Sequence, residues 1–224
     1  QNKEEDLGGL AVHRLEVRPP ASDPGRPPLT LVVKFSRFAQ DVPLDIQSTF
    51  DGLLPAQAID DPQFLDPFQE FGLLTDLRRG RRGPPSLRIR TKRPLAIYKT
   101  PGSNPAWRLG RNKRKLNHVR RELQRDQRDA TSPIELAADH VYVALFHWVQ
   151  GLNLIEAGQA GLIEESEIES ITRNVADELH QKGFVVLDHK PQHVIVRQRG
   201  NQILRRPDGM PAYAIIDFEL LQKV

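Results

Sequence analysis

The spacing of apolar and polar positions changes along the chain from a two-residue to a three- or four-residue repeat. Residues 10–17 alternate in polarity and residues 29–35 are rich in β-branched side chains, so both segments are predicted strands. Five prolines within residues 19–28 predict a turn that joins the two strands as a hairpin. Prolines at 43, 55, 62 and 67 predict that residues 41–67 form a loop.

Three later segments have the spacing of helices. Apolar residues within 64–74 recur at three- and four-residue steps, which predicts a short helix that Gly72 weakens. Residues 107–129 combine a narrow apolar stripe with nine basic residues, the pattern of a basic surface helix. Residues 164–182 have an acidic first turn and an apolar face. They predict a helix that ends at Gly183.

Short apolar runs around these helices predict the remaining strands. In chain order, they cover residues 73–77, 86–91, 94–99, 134–137, 141–149, 194–196, 202–204 and 212–216. Strands and helices are therefore mixed along the chain, and the sequence predicts a fold of the α+β class.

The composition is that of an ordinary globular domain, with 38% hydrophobic and 27% charged residues among 224. No apolar run approaches the roughly 18 residues of a membrane-spanning helix, and residues 1–10 lack the pattern of a signal peptide. The absence of cysteine excludes disulfides and cysteine-ligated zinc. We therefore expect a cytoplasmic protein without a membrane span.

Basic residues are concentrated in one part of the chain, although the net charge is only +3. Region 78–128 contains an arginine-rich segment and most charges of the predicted basic helix. Such a patch attracts the phosphates of lipids or nucleic acids. This region is a candidate site for an anionic partner, and a solvated basic surface is the more common role of such a charge run.

Two aspartates near the C-terminus each follow an apolar, strand-like run. Asp188 comes directly after residues 183–187 and is followed two positions later by Lys190, and Asp217 comes directly after the predicted strand 212–216. This arrangement resembles the catalytic loop and the metal-binding motif of the protein-kinase-like superfamily. The resemblance implies that Asp188 orients the attacking hydroxyl and that Lys190 faces the transferred phosphate. It also implies that Asp217 holds magnesium under the phosphates of ATP.

The sequence departs from the kinase pattern at three positions. Val186 replaces the histidine before the catalytic aspartate, His193 occupies the position of the metal-binding asparagine, and Glu219 replaces the glycine after Asp-Phe. Imidazole prefers softer metals than magnesium, so His193 is either a metal ligand or has another role. Glu219 adds a carboxylate near Asp217 that either replaces lost charge or faces solvent.

The resemblance also implies an ATP-binding half that precedes the catalytic loop. Residues 96–99 loosely resemble the strand that carries the ATP lysine of kinases, so Lys99 is the preferred candidate and Lys34, in another apolar strand, is its rival. Glu122 is the one glutamate of the predicted basic helix and is the candidate partner of Lys99. The glycines and arginines of residues 78–85 would form the loop that covers the phosphates.

The predicted strand 141–149 corresponds to the kinase strand that runs into the hinge. The backbone between Phe146 and Gly151 would then contact the adenine ring, which makes Phe146 and Trp148 candidate cofactor-binding residues. The resemblance thus implies ATP and magnesium as cofactors, together with a phosphate acceptor that the sequence does not identify.

The expected architecture is an α+β, protein-kinase-like, two-lobed fold. The interval from Asp188 to Asp217 is longer than in protein kinases and is similar to that of atypical, small-molecule or lipopolysaccharide kinases. We expect three parts, which are an N-terminal extension with a β-hairpin (1–69), a β-rich N-lobe with one basic helix (70–149), and a truncated or minimal C-lobe (150–224).

Three functions remain open from the sequence. The first is an atypical ATP- and magnesium-dependent kinase. The second is a pseudokinase that binds nucleotide or a partner without turnover, which the substitutions at Val186, His193 and Glu219 favour. The third is a basic adaptor that binds a polyanion through residues 78–128.

Overall fold

The structure, a computed structural model, describes residues 12–18, 25, 27–42, 59–126 and 134–224. The start of the first predicted strand, most of the turn 19–28, much of the loop 41–67 and the end of the basic helix lie outside the described residues. The strands are β1 (Val12–Val17), β2 (Leu29–Phe35), β3 (Arg93–Ser103), β4 (His140–His147), β5 (Leu152–Asn153), β6 (Phe184–Val186), β7 (Val194–Val196), β8 (Gln198–Arg199), β9 (Gln202–Ile203), β10 (Tyr213–Ile215) and β11 (Leu221–Lys223). The helices are α1 (Pro67–Arg79), α2 (Lys113–Asp126), α3 (Leu154–Gln159) and α4 (Glu165–Gln181), with a 3₁₀ turn at Pro191–His193.

The largest sheet has four antiparallel strands in the order β1-β2-β4-β3. Strand β2 is an inner strand, and its Lys34 lies opposite Val12 of β1 and Ala144 of β4. The predicted hairpin is therefore part of this sheet, because β2 pairs with β4. An apolar, β-branched run such as β2 suits a strand that has neighbours on both sides.

Capping residues determine where helix α1 begins and ends. Asp66 caps its first turn by accepting hydrogen bonds from the backbone N–H groups of Phe68 and Gln69, and Gly80 ends it in the left-handed conformation. The helix continues through residues 73–77, so the strand predicted there is wrong. A capped helix with a buried face prevails over a short apolar run that fits either structure.

Helix α2 begins at Lys113, six residues later than the basic pattern predicted. Residues 105–110 form turns instead, and Gly110 has a positive φ of 65°. The apolar stripe of α2 packs with Phe38 and Tyr142. Two further predicted strands are not formed, because 134–137 is irregular and 86–91 forms only a bridge to β10 at Thr91.

The C-terminal part of the chain consists of α3, α4 and several short sheets. Strands β10, β7 and β5 form one sheet, β11 pairs with β6, and β8 and β9 form a hairpin. Helix α4 ends just before Gly183, as predicted, and Gly183 has a φ of 75°. The chain then enters β6, which places Asp188 shortly after the end of this strand.

One continuous apolar cluster joins the large sheet to the C-terminal part. It includes Leu74 of α1, Phe146 of β4, Val175 of α4 and Ile215 of β10. The result is a mixed α/β fold with a sheet-rich N-terminal part and a few helices. Within the described residues, no helix is long and apolar enough to cross a membrane.

Candidate functional site

Lys34 is the centre of a buried cluster of charged side chains. Its Nζ atom lies 2.9 Å from Oδ1 of Asp217, 3.4 Å from Oε1 of Glu219 and 3.6 Å from Oε1 of Glu70. The Lys34 side chain is only 6% exposed. A single lysine on β2 thus connects helix α1 with the segment that follows β10.

The α1 side of the cluster contains a second buried lysine. Lys92 donates a hydrogen bond from Nζ to Oε1 of Glu70 at 2.8 Å, and its ammonium group lies 3.8 Å from the centre of the Phe146 ring. Glu70 is on the buried face of α1, one turn before Leu74. This carboxylate therefore holds two lysines, of which Lys34 extends towards Asp217.

The cluster changes the proton affinity of its members. Burial alone would lower the pKa of Lys34, but the surrounding carboxylates, Asp217 foremost, raise that pKa above its ordinary value. Burial would raise the pKa of Asp217, whereas Lys34 and His193 hold it well below its usual range. Both partners of the central ion pair are therefore charged at neutral pH.

Asp188 and Asp217 line the same small cavity. Asp188 follows β6, and its Oδ2 accepts a hydrogen bond from Nζ of Lys190 at 2.9 Å. His193 ends the 3₁₀ turn, and its Nε2 lies 3.6 Å from Oδ2 of Asp217. The structure thus brings together four of the predicted site residues, Asp188, Lys190, His193 and Asp217.

Glu219 faces the cluster rather than solvent. Its side chain is 5% exposed and lies between Lys34 and Arg37, whose Nε and Nη2 atoms both donate to Oε2 of Glu219. Burial raises the pKa of Glu219, and the nearby Asp217 raises it further, while Lys34 opposes the shift. The sequence left the environment of Glu219 open, and the structure places it inside the site.

Lys99 and Glu122 lie away from this cluster. Lys99 is exposed on β3, and β4 separates that edge strand from β2. Glu122 is on α2, where its carboxylate contacts Arg125 one turn along the helix. The preference for Lys99 over Lys34 as the ATP lysine stays a prediction. The structure places Lys34, and not Lys99, beside Asp217, and the glutamate in contact with Lys34 is Glu70.

The two predicted adenine-binding residues have different environments. Phe146 is buried in the core beneath Lys92, so its side chain serves the packing of β4. Trp148 follows β4, donates a backbone hydrogen bond to the carbonyl of Thr30 at 3.0 Å and lies under the guanidinium of Arg14. This hydrogen bond attaches the segment after β4 to β2.

The two parts of the basic region 78–128 pack against different elements of the fold. Helix α2 packs beside the first turn of α1, where Phe68 contacts Tyr142. The loop after the last turn of α1 instead packs on the end of α4, where Lys182 donates hydrogen bonds to the carbonyls of Arg82 and Pro84. The arginine-rich loop is thus anchored at the end of α4, and its role over the phosphates stays a prediction.

The donor set at Asp217 suits a metal that arrives with a phosphate ligand better than a resident metal. The described residues contain no group of three or more acidic or histidine side chains arranged around one ion position. Oδ1 of Asp217 contacts Lys34, which leaves Oδ2 beside His193. Magnesium in proteins is often held by one or two carboxylates together with waters and substrate phosphates. The Oδ2 atom of Asp217 could supply one such carboxylate ligand, and the other ligands would be waters and substrate phosphates.

The cavity between Asp188 and Asp217 is very small, with a volume of about 10 Å³, which is about the space that one water molecule needs. Sites for small molecules and cofactors commonly measure roughly 300–1,000 Å³. The cavity walls also include Arg37, Val186 and Glu219. A whole nucleotide would therefore require these side chains to move apart.

The chain matches no known protein-family model and none of the curated proteins. Among solved structures, it is similar to WbdD in a crystal structure at 2.2 Å resolution and in a co-crystal structure with the kinase inhibitor LY294002. Both comparisons give 15% sequence identity and a TM-score of 0.35, and both cover 88% of this chain. The chain spans about a third of the length of those structures, 31% for the inhibitor complex and 30% for the other. A similarity of this size assigns neither a family nor a function.

Proposed function

We propose that the protein is an atypical kinase-like phosphotransferase that uses ATP and magnesium and acts on an acceptor still to be identified. The observation that carries this proposal is the position of Lys34 between Asp217 and Glu70. A phosphate-binding lysine that is held by a helix glutamate and adjoins a metal-binding aspartate is the arrangement that kinase phosphoryl transfer requires. In this proposal, the sheet-rich part and the C-terminal part correspond to the two lobes of a kinase.

Each proposed role follows from the position of one side chain. Lys34 contacts the donor phosphates, and Glu70 keeps its ammonium group directed into the site. Asp188 is the proposed acceptor of the proton of the attacking hydroxyl. This role suits its half-buried position in the wall of the cavity. Lys190, which contacts Asp188, is placed to neutralise charge on the transferred phosphate.

Asp217 is the proposed magnesium ligand, through the Oδ2 atom that Lys34 leaves free. His193 is the second candidate ligand, and burial lowers its pKa, so the imidazole is neutral near pH 7. A neutral imidazole suits zinc, copper, iron or nickel better than magnesium. Once bound, the ion would neutralise charge that develops on the donor phosphates.

The experiment combines nucleotide-induced thermal stabilisation with release of the γ-phosphate, each measured with magnesium and with manganese. Asp217→Ala is expected to lose metal-dependent stabilisation by ATP. Asp188→Asn should retain ATP binding and lose turnover by about 10²- to 10⁴-fold, the usual contribution of a general base. Lys99→Met is the matched control, because Lys99 is exposed and distant from the cluster. The proposal would be overturned if magnesium and manganese left the thermal stabilisation by ATP unchanged in both the wild type and Asp217→Ala.

A pseudokinase is the second candidate function, and the small cavity at Asp188 favours it. Glu219 and Arg37 occupy the wall where ligand phosphates would approach Lys34. In this alternative, the protein binds nucleotide or a partner without transferring phosphate. Stabilisation by ATP that depends on Asp217, together with an absence of γ-phosphate release under all metal conditions, would establish the pseudokinase instead.

An anionic partner is a separate proposal that depends on the segment from Arg78 to Arg93. This segment contains no acidic residue, and the ion pairs among the described residues do not involve its seven exposed arginines. They are Arg78, Arg79, Arg81, Arg82, Arg88, Arg90 and Arg93. Binding of an anionic vesicle should weaken steeply with salt, decrease in Arg88→Ser/Arg90→Ser and persist in Asp217→Ala. Salt-independent binding would exclude an electrostatic surface.

A further inference from the structure

The buried cluster balances its own charge without a ligand. Three cations (Lys34, Lys92 and Arg37) are paired with three carboxylates (Glu70, Asp217 and Glu219). Ionised groups are costly to bury unless they are paired, so each charge offsets the cost of burying its partner. Any phosphate that enters must compete with a carboxylate for its cation.

Glu219 is the carboxylate that such a phosphate would displace. Glu70 belongs to α1 and is hydrogen-bonded to Lys92, and Asp217 is the proposed metal ligand. The Glu219 carboxylate instead lines the small cavity and contacts Lys34 with one oxygen and Arg37 with the other. An anion between two cations at the wall of the cavity occupies the position that the phosphate chain of a ligand would need.

The backbone of this segment is fixed, so exchange requires only side-chain movement. The carbonyl of Glu219 accepts a hydrogen bond from the N–H of Leu65 at 2.9 Å, and the carbonyl of Leu220 accepts one from Leu187 at 3.2 Å. The guanidinium of Arg37 lies 4.0 Å from the centre of the Phe64 ring. Arg37 would therefore remain at the cavity when the Glu219 side chain rotates away.

We propose that Glu219 is an internal competitor for the phosphate-binding position, and that Arg37 is a second phosphate-binding cation which becomes available when Glu219 moves. This inference rests on the proposed function, because it names residues that determine access to the same site. It explains why the glycine position of the kinase motif carries a buried carboxylate in this chain. It also assigns Arg37, which no sequence motif indicates, to the binding of ligand phosphates.

The test measures binding of inorganic tripolyphosphate and of ATP with magnesium by calorimetry. Glu219→Gln keeps the size of the side chain and one acceptor oxygen and removes its charge, so it is expected to bind both ligands at least tenfold more tightly than wild type. Glu219→Ala is the second variant and should show the same direction. Glu135→Gln is the matched control, since Glu135 is exposed, takes no part in the ion pairs of the cluster, and loses the same charge. This control should bind as the wild type does.

Arg37→Gln, introduced into the Glu219→Gln background, is expected to change the affinity for tripolyphosphate in the opposite direction. It should weaken tripolyphosphate binding at least fivefold, because one of the two released cations is lost. Urea unfolding of each variant establishes that the fold is retained. Binding by Glu219→Gln within twofold of wild type, or tighter binding after loss of Arg37, would overturn the inference.

The two proposals fail in different ways. If wild type binds ATP through Asp217 and Glu219→Gln binds no better, the inference fails and the nucleotide site stands. If Glu219→Gln binds tripolyphosphate tightly, shows no preference for ATP and releases no phosphate, the competitor role stands and the phosphotransferase fails. A lack of binding by every variant overturns both.

Discussion

Lys34 and Asp217 are 183 positions apart in the sequence, and their side chains form a 2.9 Å ion pair. The pair joins an inner strand of the large sheet to the segment after β10. Because Glu70 also contacts Lys34, three distant parts of the chain meet at one ammonium group. The candidate site is therefore also an element of the tertiary structure, and its charges affect stability as well as binding.

The first prediction concerns the stability of this pair. Lys34→Met leaves the carboxylates of Asp217, Glu219 and Glu70 with less positive charge around them, and we expect it to reduce the free energy of unfolding by about 3–5 kcal/mol. Lys99→Met should change that energy by no more than about 0.5 kcal/mol, because Lys99 is an exposed side chain. Urea unfolding of both variants checks the difference, and equal effects of the two would contradict the central place of Lys34.

The local pattern of apolar residues predicts several helices and strands, but it does not distinguish the environment of Lys34 from that of Lys99. The strand around Lys34 and the helix before Gly183 were predicted close to their observed bounds. Lys34 and Lys99 both lie in apolar runs, however, so the pattern along the chain does not distinguish an inner strand from an edge strand. The distinction arises from the order of strands in the sheet, which depends on contacts between distant residues.

A signal for Glu70 was present in the sequence. Glu70, Leu74 and Leu77 follow one another at steps of four and three, which places a carboxylate in the apolar stripe of a helix. A charged residue on a buried face requires a partner of opposite charge. Arg37 gives no comparable signal, because its contact with Glu219 depends on how the turn after β2 meets the C-terminal part.

The second prediction uses the coupling between Glu70 and Lys92. Glu70→Gln leaves Lys92 buried without its carboxylate partner and should cost about 3–5 kcal/mol of stability. In the double variant Glu70→Gln/Lys92→Met, the unpaired cation is also removed. We expect the double variant to be more stable than the sum of the single effects by about 1–3 kcal/mol. Additive effects in a double-mutant cycle would show that the two groups do not interact.

The third prediction concerns the pH dependence of stability through His189. Its Nε2 lies 3.0 Å from the carbonyl oxygen of Thr172, and its Nδ1 is buried without a hydrogen-bond partner among the described residues. Burial lowers the pKa of His189 below its ordinary 6.5, His193 lowers it further, and the Thr172 carbonyl and Asp188 oppose the shift. The folded state therefore favours the neutral imidazole.

The sign of the effect follows from proton uptake. Below about pH 6.5, the unfolded chain protonates this histidine more readily than the folded chain does, so acidification lowers stability. One such group contributes a slope of at most about 1.4 kcal/mol per pH unit. His189→Gln should lose less stability than wild type between pH 7.5 and pH 5.5, as measured by urea unfolding. Identical pH slopes would show that His189 does not contribute.

The last prediction concerns the loop that places the arginines after α1 against the end of α4. Gly80 and Gly83 both have positive φ angles, 66° and 64°, but their surroundings differ. A Cβ atom at Gly83 would lie 2.2 Å from the carbonyl oxygen of Gln181, whereas a Cβ at Gly80 would meet nothing within 4 Å. Gly80→Ala should therefore cost only the backbone strain of a left-handed residue, about 1–2 kcal/mol.

Gly83→Ala should cost at least about 1 kcal/mol more than Gly80→Ala, because the loop must also move away from α4. That movement would lengthen the hydrogen bonds from the buried Lys182 to the carbonyls of Arg82 and Pro84. Hydrogen exchange should therefore increase at the end of α4 in Gly83→Ala and remain at the wild-type rate in Gly80→Ala. Equal destabilisation by the two substitutions, with unchanged exchange at α4, would show that the close approach of Gly83 to Gln181 does not fix the loop.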